Sequence, residues 1–134
     1  MMTSSASKKI LLVDDEPSLI FILTRVLQSA GYETRAAANG LEGLKLFLHE
    51  SWDLVIVDRS MPEMGGEELA VQIRAREPQL PIILISGAPR LVKRPDLFDA
   101  IYGKPFSSNA FLSEISRLLA LRGNGSSTVV ARAS

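Results

Sequence analysis

The chain has 134 residues, 46% hydrophobic and 22% charged, the balance of one globular domain with a sizeable core. Its 15 basic and 15 acidic side chains cancel to a formal net charge of +0, which removes any bulk electrostatic pull toward nucleic acid or an anionic membrane. With no cysteine and one histidine, His49, it can build neither disulfides nor thiolate or His-rich metal sites, and no apolar run approaches the ~20 residues that span a bilayer.

The opening "MMTSSASKK" lacks the apolar stretch of a signal peptide, so residues 1–7 read as a flexible N-terminus and a cytoplasmic location is expected. Ile10 to Val13, "ILLV", is the first strand, apolar on both faces and ending in Asp14-Asp15. A helix follows from Pro17 to Ala30, opened by proline and stopped at Gly31. Leu19, Ile22, Leu23, Val26, Leu27 and Ala30 are expected to line its buried face, with Phe21 on the opposite side. Glu33 to Ala37 is short and more polar, as an edge strand would be. Leu41 to Glu50 is a second helix, with Asn39 as N-cap and Glu42 three residues on. His49 falls late in it and reads as a partly exposed helix residue, not a catalytic one.

Leu54 to Val57, "LVIV", is a third strand ending in Asp58, and Gly66 to Arg76 a third helix whose Glu67 and Glu68 suit the positive end of its dipole. Pro81 to Ile85, "PIILI", is a fourth strand ending in Ser86-Gly87. From Gly87 to Asp99, "GAPRLVKRPDLFD", Pro89 and Pro95 leave room for at most about one or two helical turns. The span is tight for a parallel crossover, so a short or irregular fourth helix, open to motion, is predicted there. Ala100 to Gly103 is the fifth strand, followed by Lys104. A last helix capped by Ser107 or Ser108 runs to about Leu121, with Phe111, Ile115, Leu118 and Leu119 on one face. Gly/Ser-rich residues 122–134 read as a disordered tail.

Strand and helix alternation predicts an α/β fold with a parallel sheet between two helical layers, right-handed crossovers, and a functional crevice beyond the carboxyl ends of the strands. Those ends deliver Asp14, Asp15, Asp58, Ser86 and Lys104 to one edge. Three close carboxylates repel and raise one another's pKa. A hard divalent cation relieves that repulsion, and oxygen ligands suit Mg²⁺. A lysine and a hydroxyl opposite supply a point charge and a hydrogen bond for an anion. The set describes a site that handles a phosphoryl group, in which an aspartate can be the nucleophile. Singly, each motif has a plain structural explanation: an acidic helix start, a turn, a solvated lysine. Together, at strand ends of one sheet edge, they do not.

In "LLVDDEP", "VIVDRSMPEMGG", "ILISG" and "KPF", taken in this order, the sequence resembles the receiver domain of two-component response regulators, over residues 8–121. That resemblance implies a flavodoxin-like five-stranded sheet in the order 2-1-3-4-5. It implies Asp58 as phosphoacceptor, and Mg²⁺ held by Asp15, Asp58 and the backbone carbonyl of Ser60, with Asp14 acting through water. Ser86 and Lys104 would bind the phosphoryl group, and Lys104-Pro105 would be cis. The phosphoryl donor would be a sensor histidine kinase or a histidine phosphotransfer protein. The chain would signal to a downstream protein by contact, without touching nucleic acid or membrane. It would be no enzyme beyond its own phosphotransfer and slow dephosphorylation. Phe21 is a candidate docking residue for the donor.

Two features depart from the family's pattern. Its switch aromatic usually lies three residues before the lysine, where this chain has Ile101, and Tyr102 is expected on the other face of the strand. With the broken fourth helix, this points to a signal that emerges through reordering of residues 87–99, with Arg90, Lys93 and Arg94 as a basic contact. The rivals are an adaptor of the same fold that works without phosphorylation and a hydrolase using Asp58. A phosphatase of that kind usually carries a second acid two residues after the first, where this chain has Ser60. No P-loop and no G-x-S-x-G elbow is present.

Overall fold

The computed structural model describes residues 7–124. Its elements are β1 (Lys9–Val13), α1 (Pro17–Ser29), β2 (Glu33–Ala37), α2 (Gly40–His49), β3 (Leu54–Asp58), α3 (Gly66–Arg76), β4 (Ile82–Ser86), β5 (Ala100–Gly103) and α4 (Ser108–Asn124). The strands form one parallel sheet in the order β2-β1-β3-β4-β5. Every position of β3 and β4 is buried, which is why these strands read as unbroken apolar runs.

Alternate side chains supply two cores. Leu11, Val13, Val55, Val57, Ile82 and Leu84 pack under α2 and α3 with Phe47, Leu69 and Ile73. Ile10, Leu12, Leu54, Ile56, Ile83 and Ile85 pack under α1 and α4 with Leu23, Leu27, Phe111 and Ile115. Gly31, at φ 95°, ends α1 in the left-handed region that glycine adopts without strain. Asn39 caps α2 by accepting from the Glu42 N–H at 2.9 Å, while Glu42 accepts from the Ala38 N–H at 2.9 Å. Ser107 rather than Ser108 caps α4, accepting from the Ala110 N–H at 3.3 Å.

One expected face needs correction. Ile22 is 52% exposed and Ala30 is exposed, while Ile20 packs on the core. The buried stripe is centred on Leu23 and Leu27; Ile22 sits about 100° round the helix from Leu23, and Ala30 lies past its last turn. The last helix also runs three residues beyond Leu121, to Asn124. Beyond 124, the expected tail lies outside the described residues.

The Pro-rich crossover holds no α-helix. Pro89–Leu91 and Pro95–Leu97 are single 3₁₀ turns, each opened by its proline. Leu97 and Phe98 are buried in the core under α3. Polar contacts replace the packing of a full helix. Arg74 of α3 donates to the carbonyls of Leu97, Pro78 and Leu80 at 3.0, 2.9 and 2.6 Å, and pairs with Asp99 at 2.9 Å. Asp99 in turn accepts from the Ile82 N–H at 2.8 Å. Arg74 therefore staples the end of the crossover to the loop before β4. Arg74→Ala strands three carbonyls and a carboxylate, and is expected to cost about 3 kcal/mol in urea unfolding. A loss below about 1 kcal/mol would show that the staple carries no weight.

Candidate functional site

The parallel sheet brings the carboxyl ends of β1, β3, β4 and β5 to one edge, and each end delivers a polar side chain there. Asp14 continues the β1 ladder, its N–H donating to the Ala37 carbonyl at 3.1 Å. Its side chain is 1% exposed. Oδ1 accepts from the Glu16 N–H at 2.9 Å, which turns the chain into α1, while the buried Oδ2 has no hydrogen-bond partner. Asp15 next to it is exposed.

Asp58 closes β3 and is 5% exposed. Its Oδ2 accepts from the Ser60 N–H at 3.2 Å, and its Oδ1 pairs with Lys104 Nζ at 2.9 Å. Behind it, α3 starts so close that a Cβ on Gly66 would lie 2.4 Å from the Asp58 carbonyl oxygen. Ser86 closes β4, buried, with its Oγ accepting from the Ala88 N–H at 2.9 Å. The Lys104 N–H donates to the Ser86 carbonyl at 3.0 Å, which ties the lysine to the strand beside it. The Lys104-Pro105 bond is cis.

Donor atoms of Asp14, Asp15 and Asp58 lie within 4.8 Å of one another. Burial pushes the Asp14 carboxyl from its ordinary 3.8 up to about 6; the Glu16 N–H opposes this, and the Asp58 charge adds to it. Mutual repulsion, the cause expected from sequence, is thus second to desolvation. Burial also raises Asp58, against the hydrogen bond and charge of Lys104. Burial, the largest single effect, pulls Lys104 down, but its hydrogen bond to Asp58 and the charges of Asp58, Asp14 and Glu16 together outweigh it and the net shift is upward. Three carboxylates face one ammonium, and one buried carboxylate oxygen is unpaired. That donor set fits a hard divalent cation, which would supply the missing partner and the missing charge.

The other expected residues lie around this core. Phe21 is 62% exposed on α1, with the Arg25 guanidinium 5.6 Å from its ring centre. A groove of ≈ 540 Å³ runs past it from Asp15 to Gln28. Arg90, Lys93 and Arg94 are exposed on the crossover, but Arg94 is engaged by Asp96 through two 2.9 Å bonds. Its guanidinium is therefore not a free part of the basic contact expected there. His49 is exposed at the end of α2. Tyr102 packs on the α4 face and Ile101 on the α3 face, as strand alternation requires.

Three side chains escaped the sequence reading. Glu16 reaches within 3.9 Å of Lys104 Nζ. Arg59 bonds the Leu91 carbonyl at 3.0 Å, and Glu67, read only as a dipole partner, accepts from the Lys93 and Arg94 N–H groups. Opposite charges flanking the short loop after Asp58 were the one signal available for the last two.

In the protein free of divalent cations, the raised Asp14 value sets a pH dependence. The folded state binds this proton more tightly than the unfolded chain. The resulting stability is present below about pH 4 and lost as pH rises through about 6. Asp14→Asn should therefore gain on the parent by about 3 kcal/mol between pH 4 and 7 in chelator-treated unfolding experiments. A parent-minus-variant difference that stays flat across that range would refute the burial argument.

Comparison with known proteins agrees with this arrangement. A family model, the response regulator receiver domain, matches residues 10–112. The receiver protein CpdR of Brucella abortus is 32% identical over 84% of this chain and 97% of its own length. The alkaline phosphatase synthesis transcriptional regulatory protein PhoP of Bacillus subtilis is 30% identical over 81% of the chain, which spans only 42% of PhoP. The response regulator TrrA of Thermotoga maritima, solved in complex with Mg(2+)-BeF, superposes with a TM-score of 0.78 at 36% identity, covering 83% of this chain and 98% of TrrA.

Proposed function

The chain belongs to the response regulator receiver domain family, and from that we propose that it accepts a phosphoryl group from a phosphohistidine donor onto Asp58 and signals through protein contacts. The observation that carries this reading is the buried Asp58 carboxylate, paired with Lys104 at 2.9 Å and grouped with Asp14 and Asp15 within 4.8 Å. A carboxylate oxygen of Asp58 attacks the phosphorus, the P–N bond to the donor imidazole breaks, and the electron pair stays on that nitrogen.

Asp15, Asp58 and the Ser60 carbonyl would hold Mg²⁺, with Asp14 reaching it through water, and the ion when bound neutralises charge on the transferred group. The Mg(2+)-BeF complex of the Thermotoga relative supports this identity of the metal. Lys104 keeps its proton, as its raised pKa requires, and so offers a permanent positive charge to the phosphoryl oxygens. The Ser86 hydroxyl, whose oxygen already accepts from Ala88, has its proton free to donate to the same group. The protein acts on no separate substrate: its chemistry ends with uptake and slow loss of its own phosphoryl group.

Partners follow from the exposed surface. The donor is a sensor histidine kinase or a histidine phosphotransfer protein, and Phe21 beside the Asp15 groove is a docking contact for it. The downstream protein would be met through residues 87–99, where Arg90 and Lys93 are exposed. No described helix is long and apolar enough to cross a membrane.

Phosphoryl uptake from a phosphohistidine donor should require Mg²⁺ and disappear in Asp58→Asn. If the parent protein takes up nothing, the phosphorylation-independent adaptor remains. Rapid turnover on many phosphate esters would instead mark a hydrolase. Phe21→Ala should slow transfer from the cognate donor by about tenfold, the weight of one anchoring aromatic, and leave uptake from acetyl phosphate unchanged. Equal slowing with both donors would remove Phe21 from the docking surface.

A further inference from the structure

The residue after Asp58 connects the site to the Pro-broken crossover. Arg59 Nη2 donates to the Leu91 carbonyl at 3.0 Å, and its Nε lies 3.5 Å from Glu67 Oε1. Glu67, in the first turn of α3, accepts with Oε2 from the backbone N–H groups of Lys93 at 2.6 Å and Arg94 at 2.9 Å. Two side chains thus grip the crossover at three backbone points. Among the described residues, these are the only hydrogen bonds that side chains of other elements make to residues 89–94.

The grip is built to be sensitive to charge. At 3.5 Å the Arg59–Glu67 approach is too long for a good hydrogen bond, and the buried Arg59 Nε has no hydrogen-bond partner. The shortest polar contact of the guanidinium is to a neutral carbonyl, the weaker kind of acceptor for a cation. The Arg59 backbone is fixed on both sides, its N–H on the Ile85 carbonyl and its carbonyl on the Gly66 N–H. Only its side chain is left to respond. A phosphoryl group on the neighbouring Asp58 replaces the single carboxylate charge with roughly −1.5 to −2, carried further out on three strong acceptor oxygens. It also displaces the carboxylate oxygens that now hold Ser60 and Lys104. Placed on the residue next to Arg59, that added charge would draw on the guanidinium and weaken its hold on Leu91 and Glu67.

We propose that Arg59 and Glu67 form a latch that holds the crossover in the unphosphorylated protein and loosens when Asp58 is phosphorylated. Arg59 is a positioning residue: it takes no part in phosphoryl transfer and acts on the crossover through Leu91 and Glu67. Release frees the segment that carries Leu91, already 60% exposed, between Arg90 and Lys93, which have no ion-pair partner among the described residues. The proposal rests on the reading of Asp58 as phosphoacceptor.

The test follows amide hydrogen exchange of Lys93 and Arg94 with and without acetyl phosphate and Mg²⁺, with intact mass read on the same samples. Acetyl phosphate transfers its phosphoryl group by loss of acetate. In the parent protein both amides should exchange about fivefold faster once the mass gain appears, the loss of roughly one hydrogen bond each. Arg59→Gln and Glu67→Gln should exchange at the faster rate from the start, with less than about twofold further change on phosphorylation. Glu67→Gln alone suffices if Arg59→Gln does not fold. A full mass gain with unchanged or slower exchange overturns the latch and leaves the phosphoacceptor reading standing, as does a variant that responds like the parent. Absence of any mass gain overturns the phosphoacceptor reading and the latch with it.

Discussion

The site depends on carboxylates kept where water cannot solvate them. Asp14 and Asp58 are almost fully buried, and a single ammonium, Lys104, stands against them and the exposed Asp15. Burying a charge is costly unless it is paired, and here the pairing is incomplete. Everything around the sheet edge follows from that imbalance: the raised Asp14 value, the orphan Oδ2, the fit to a divalent cation, and the hold of Lys104 on Asp58. A site left short of positive charge is a site ready for a metal and an anion together, which is what phosphoryl transfer needs.

Much of this was legible in the sequence because the same rule writes both the fold and the site. A strand buried on both faces must be apolar throughout, so the first polar residue marks its end, and in a parallel sheet functional ends gather on one edge. "ILLVDD", "LVIVD" and "PIILIS" announce strand, boundary and site residue in one stretch. Pro89 and Pro95 likewise announced a crossover without a full helix, since each bars the backbone from continuing one. What stayed hidden is long-range. Arg74 reaches Asp99, Arg59 reaches Leu91 and Glu67 reaches Lys93 across 25, 32 and 26 residues. No local period encodes such contacts; they exist only because the short crossover folds back over α3. Ile22 was misplaced for a related reason, because an apolar residue at the margin of a helical stripe is buried only if a neighbour covers it.

The crossover shows how a shortened segment is stabilised without a helix's apolar face. Two 3₁₀ turns bury little: among residues 87–96 none is fully buried, Val92 packs partly against the core, and Leu97 and Phe98 enter it. Hydrogen bonds from Arg74, Arg59 and Glu67 carry the rest. Contacts of this kind answer to charge, whereas apolar packing answers mainly to shape. The Arg74 staple binds the half far from the site and has its carboxylate partner close at 2.9 Å. The Arg59 grip binds the half near the site and has its carboxylate partner at 3.5 Å. One half is fastened through a close ion pair, and the other, beside Asp58, through carbonyl and backbone N–H contacts with a longer one.

Tyr102 limits how β5 can respond to a change at Asp58. An aromatic that reports on Ser86 must be free to swing on the face of β5 that looks toward the crossover. Tyr102 lies on the opposite face, edge-on to Phe106 and Phe111 with ring centres 5.7 and 5.3 Å away, and its hydroxyl donates to the Ala110 carbonyl. It thereby packs, partly buried, against the core under α4. Ile101, on the crossover side, has no polar group with which to follow a hydroxyl or an anion. A polar event at Asp58 therefore has no side chain of β5 to move toward the crossover. The polar contacts nearest in the chain lie on the other side, from Arg59, the residue after Asp58, to Leu91 and Glu67, and from Glu67 to the backbone of Lys93 and Arg94.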